Sequence, residues 1–113
     1  MSYITNMTVR GGHRTMSFLP QLRFFLRGLG ELYTVRKYKM SAATVEVLDV
    51  GLCYRFPLGQ IKNKKDLLPY VDRSGFNTVD DWWDKIRSFI PYEQDPMYLY
   101  KVEVKDGPVK SMD

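Results

Sequence analysis

Gly30-Glu31-Leu32-Tyr33-Thr34-Val35-Arg36-Lys37-Tyr38-Lys39 is the stretch from which the rest of this chain is read. It lies just after a short apolar-faced helical pattern and reads as a strand. Alternate side chains of a strand share a face. Leu32, Thr34, Arg36 and Tyr38 therefore point one way, and Tyr33, Val35, Lys37 and Lys39 the other. Apolar and charged groups fall on both faces, so this is not a strand with one wet side and one dry side. An arginine fixed on a strand is a planar, permanent fork of donors suited to phosphate, carboxylate or a base edge. The plain alternative is a surface or salt-bridged arginine.

Towards the N-terminus, Thr15-Met16-Ser17-Phe18-Leu19 reads as a short strand. Pro20 suits the first turn of a helix. Leu22, Phe25, Leu26 and Leu29 recur at helical spacing and predict a buried stripe, while Arg23 and Arg27 share a second, solvated face. Gly28 and Gly30 end that helix. Residues 1–14 read as a flexible basic arm around Arg10-Gly11-Gly12-His13-Arg14, able to touch phosphates through its arginines and exposed backbone N–H groups.

Towards the C-terminus, Thr44 to Phe56 is rich in Val and Leu. Its alternation changes phase between Val47 and Leu48. This predicts either one long strand bent near Leu48–Gly51 or two short ones, with Pro57-Leu58-Gly59 closing the segment. Asn63 and Asp66 begin a short helix with Leu67, Leu68 and Val71 as its buried side. The clearest element runs from Asn77 to Ile90. Asn77 or Thr78 caps it, and Val79, Trp82, Trp83, Ile86, Phe89 and Ile90 form its apolar face. Helical spacing assigns the Trp pair to the core. Met97 to Val104 is a closing strand, Asp106-Gly107 a turn, and residues 105–113 a tail.

The chain has 113 residues, enough for one domain with a real core. Hydrophobic residues at 44% and charged residues at 27% fit a globular fold, with no low-complexity tract. The net charge of +4 permits an anionic partner without demanding one. Cys53 is the only cysteine, which excludes an internal disulfide and fits a reducing cytoplasm. Its apolar surroundings predict a buried, inert thiol. His13 has no neighbouring metal-ligand residue, so no metal or other cofactor is expected. No apolar run approaches a membrane span, and no export signal stands out. Helices in two places around a dominant β segment predict an α+β domain over residues 15–104. Strands this few and this bent would curl most economically into a small barrel of about five to six strands with two to three flanking helices.

In this order, these residues resemble the ASCH domain family of the PUA-like superfamily. The features that carry the resemblance are the glycine-ended helix Leu26-Arg27-Gly28-Leu29-Gly30, the step Thr34-Val35-Arg36, Ser74-Gly75-Phe76 before a Trp-rich helix, and the strand Tyr98-Leu99-Tyr100-Lys101-Val102-Glu103-Val104. The resemblance implies a PUA-like barrel and a binding cleft at Arg36 and Thr34. RNA, or a nucleotide-like anion, is the implied partner. Lys37, Lys39 and Arg55 would touch phosphates, and Tyr38 or Tyr54 would stack on bases. Some relatives are amidohydrolases on acetylated cytidine. In the family's cleft motif, Gly-x-Lys-x-x-(Glu/Thr)-x-Arg, the lysine position falls here on Glu31. Catalysis is therefore ranked below binding, and binding of a protein or a small anion by a regulatory domain is a further alternative.

Overall fold

The computed structural model describes residues 14–105. The basic arm before Arg14, the Asp106-Gly107 turn and the tail beyond it lie outside the described residues. In chain order the elements are β1 (Arg14–Met16), α1 (Pro20–Leu29), β2 (Glu31–Arg36), β3 (Ala43–Val47), β4 (Gly51–Ile61), a 3-10 segment (Lys64–Arg73), α2 (Val79–Phe89) and β5 (Met97–Val104). The fold is α+β. A five-stranded mixed sheet has the order β1-β3-β4-β5-β2, parallel at β1–β3 and antiparallel elsewhere.

The sheet is not closed into the expected barrel: β1 and β2 are its two end strands and do not pair with each other. Leu19 already caps α1 and Pro20 starts it, so the strand expected over Thr15–Leu19 ends at Met16. One side chain spans the gap between the end strands instead. Arg36, the last residue of β2, donates from Nη2 to the Ser17 carbonyl at 2.7 Å.

Leu22 and Leu26 bury one face of α1, whereas Leu29 is left exposed at its end. Gly30 stops the helix in the left-handed region at φ 83°, where its N–H donates to the Leu26 carbonyl. Arg23 and Arg27 are not simply solvated. Arg23 pairs with the Asp49 carboxylate and Arg27 donates to the Asp49 carbonyl, latching α1 to the β3–β4 turn. That turn resolves the phase change after Val47. The segment is a hairpin of two strands, with Val47 opposite Gly51 and Asp49 at φ 67°.

β4 runs on through Pro57 to Ile61 and does not close there. β3 pairs only as far as Arg55, so Pro57 sits where β4 has no second neighbour and no ladder bond is lost. The register slips between Pro57 and Gly59, and Gly59 takes φ 130° at that bulge.

Two apolar clusters flank the sheet. The first joins Leu22 and Leu26 to Leu32, Val45, Val47, Cys53 and Val102. The second joins Trp82, Ile86 and Ile90 of α2 to Leu67, Met97 and Leu99. β2 serves both: Leu32 enters the first, while Tyr33 and Val35 pack against the second. Both faces of this strand are therefore covered, as its mixed sequence demands. In the 3-10 segment, Asp66 accepts from the N–H groups of Lys62 and Asn63, and Leu67 is buried. Leu68, expected inside, is exposed. Burial pushes the Cys53 thiol up to about 11, so it is protonated and unreactive at neutral pH. No helix among the described residues is long and apolar enough to cross a membrane.

Candidate functional site

β2 is an end strand, and its C-terminal half forms one wall of a cavity of about 670 Å³. Phe18, Pro20 and Leu22 close it from the α1 side. Trp82, Ile86 and Phe89 close it from α2, and Ser74 and Phe76 lie between. Cavities of this size and apolar character, with a few polar groups, are typical of small-ligand sites.

Thr34 and Arg36 are the polar centre. Thr34 is almost fully buried and its Oγ1 lies 3.4 Å from Arg36 Nε. The Arg36 guanidinium also sits 4.7 Å from the centroid of the Phe18 ring, a cation–π contact that holds it at the cavity wall. With Nε and Nη2 engaged, Nη1 makes no hydrogen bond among the described residues, and no carboxylate there forms an ion pair with Arg36. Burial, and then the like charge of Arg55, push the Arg36 guanidinium below its usual range, while Tyr100 pulls the other way. An arginine stays charged regardless. The site therefore holds an uncompensated cation in a half-dry place, where an anion would gain most.

Two lysines and two aromatic rings complete the rim. Lys37 reaches the cavity and pairs with Asp95 at 3.6 Å. Its expected alternation away from Arg36 does not apply, because β2 ends at Arg36. Lys85 of α2 lines the cavity without an ion pair among the described residues. Tyr38 and Phe89 stand at the mouth, 67% and 66% exposed, so each offers a ring face to whatever enters. Tyr100 fixes this rim. Its hydroxyl donates to the Tyr38 carbonyl at 2.7 Å and accepts from the Met40 N–H at 2.6 Å.

The sequence-derived candidates divide into two sets. Thr34, Arg36, Lys37 and Tyr38 meet in the cavity; Lys39, Tyr54 and Arg55 do not line it. Lys39 is exposed beyond the end of β2. Tyr54 lies on the outer face of β4, beside Phe56 and Lys105. Arg55 is 4% exposed, with Nε and Nη2 on the Ser41 carbonyl at 3.1 and 2.9 Å and Nη1 on Met40 Sδ. A phosphate cannot reach it there, and its reach into the site is electrostatic. Ser17, Phe18, Lys85 and Phe89 are the site residues that sequence reading missed. Phe89 sat in an apolar stripe that looked like core throughout, and only its exposure separates it from Trp82. Glu31, which the resemblance aligns with a motif lysine, is held by Arg73 at 3.5 Å and Lys101 at 3.4 Å, outside the cavity. Among the described residues no three His, Cys, Asp or Glu side chains gather as a metal site. No protein-family model, curated protein or solved structure matches this chain.

Proposed function

We propose that this protein is a small nucleic-acid-binding module with single-stranded RNA as its ligand, and that it seats a nucleotide in the cavity at the end of β2. The observation that carries this reading is Arg36, a cation with free donors and no carboxylate partner among the described residues, set in an aromatic-walled cavity. A planar guanidinium with spare N–H groups binds phosphate oxygens in a forked geometry. Exposed rings at the mouth, Tyr38 and Phe89, offer faces on which an unstacked base can lie. Lys85, and Lys37 once released from Asp95, add phosphate attraction. The resemblance to the ASCH domain family points the same way.

A titration of single-stranded RNA at several salt concentrations tests the reading. Affinity falls as salt rises, and Arg36→Ala lowers the slope of log affinity against log salt by about 0.7, the share of one phosphate contact on a single strand. Binding that ignores salt, or a slope unchanged by Arg36→Ala, removes the cavity from the interface.

A further inference from the structure

The backbone of β2 carries a second set of ligand groups, found from the phase of its hydrogen bonds. In an antiparallel pair, residues turn both their N–H and C=O alternately towards the partner strand and away from it. The Val104 N–H donates to the Gly30 carbonyl at 2.8 Å, and the register places Leu32 opposite Val102 and Thr34 opposite Tyr100. Gly30, Leu32, Thr34 and Arg36 therefore bond to β5. The Lys105 N–H, which donates to the Leu52 carbonyl, gives the same phase from the other side of β5. Tyr33 and Val35 thus turn their N–H and C=O groups outward, along the free edge of the sheet.

That edge is where the cavity lies. Side chains from both faces of β2 line it, Thr34 and Arg36 on one side and Tyr33 and Val35 on the other, so the cavity straddles the strand and takes in its edge. No backbone group among the described residues bonds to the outward groups of Tyr33 or Val35. An unpaired edge is a template for whatever carries matching donors and acceptors.

We propose that this edge reads a nucleobase, the N–H and C=O of Tyr33 and Val35 bonding the edge of the base while Arg36 holds its phosphate. The proposal rests on the nucleic-acid reading above and names how the base is recognised. The edge of a nucleobase sets a donor beside an acceptor, which matches the N–H and C=O of one outward strand residue. The cavity is lined by the aromatic side chains of Phe18 and Trp82, and a cation stands one residue away at Arg36. An added peptide strand fits less well. It needs a longer open edge, and the preceding outward residue, Glu31, lies outside the cavity with its side chain held by Arg73 and Lys101.

The test is an amide NMR titration with the four nucleoside 5′-monophosphates and with ribose 5-phosphate, which has the phosphate and no base. We expect at least one nucleotide to bind roughly tenfold more tightly than ribose 5-phosphate, the order expected for a base-edge hydrogen bond. The Tyr33 and Val35 amide signals should move with that nucleotide and stay still with ribose 5-phosphate. Val35→Pro removes one outward N–H and leaves the bonds to β5 intact, as proline on a sheet edge allows. It should melt close to wild type and bind nucleotide no better than ribose 5-phosphate. If Val35→Pro fails to fold, the wild-type amide shifts decide. Equal affinity for nucleotide and ribose 5-phosphate with both amides unmoved overturns the base reading and leaves the phosphate site standing. Shifts produced by an extended peptide and by no nucleotide overturn it in favour of strand addition. Absence of any RNA or nucleotide binding removes the parent reading and this one together.

Discussion

Arg36 and Arg55 look interchangeable in the sequence: each sits on a strand, near a tyrosine, in a basic chain. In the fold they are opposites. Arg55 lies inside, with Nε, Nη1 and Nη2 all spent on Ser41 and Met40. Arg36 lies at the end of an end strand and keeps donors free towards a cavity. The difference shows that whether an arginine is available to a ligand depends on which of its donors the fold leaves unspent. An arginine with every donor nitrogen bonded inside is a brace, and Arg55 braces the loop after β2. That loop carries Tyr38 and Met40, so the brace and the site are physically linked.

The largest expected effect tests whether the cavity wall is also core. Trp82 is 3% exposed and belongs to the second apolar cluster while facing the cavity. Trp82→Ala should cost about 3–5 kcal/mol of stability. A melt like wild type combined with lost RNA binding would make Trp82 a ligand residue only. Arg55→Ala comes next, with a loss of about 2–3 kcal/mol read by chemical denaturation, because its bonds come from a charged donor. If Arg55→Ala keeps its stability and loses RNA affinity, Arg55 is a contact residue and the contrast with Arg36 breaks. Tyr100→Phe is smaller. It removes the two bonds that tie Tyr38 and Met40 and should cost about 1–2 kcal/mol. It should also weaken RNA binding modestly by freeing the rim, and an unchanged affinity would show that the rim needs no fixing.

Much of the fold follows from local rules that the sequence displays. Pro20 and Gly30 mark the ends of α1, and Thr78 accepts from the Asp81 N–H to cap α2. The phase break at Val47 marks a turn. What stayed hidden depends on distant partners. That the two end strands do not pair depends on the whole sheet, and the exposure of Phe89 on which parts of α2 meet the sheet. That Thr34, Arg36, Lys37 and Tyr38 lie together was legible because they are neighbours in the chain at the end of one strand. Phe18 and Lys85 were not, because only the tertiary fold brings α1 and α2 to that strand. That Tyr54 and Arg55 lie away from the cavity was not legible, because strand alternation tells which residues share a face, not whether that face is covered.

Under the proposed function, Arg36 serves binding more than folding. The direct measurement is Arg36→Ala, with RNA affinity and thermal melting taken on the same preparation. Affinity should fall at least roughly tenfold, as expected for loss of a hydrogen-bonded charge, while the protein stays folded and loses no more than the about 1.5–3 kcal/mol of its bond to Ser17. Unchanged affinity, or a collapse in stability that accounts for the lost binding, contradicts the account and makes Arg36 a tie between β2 and Ser17.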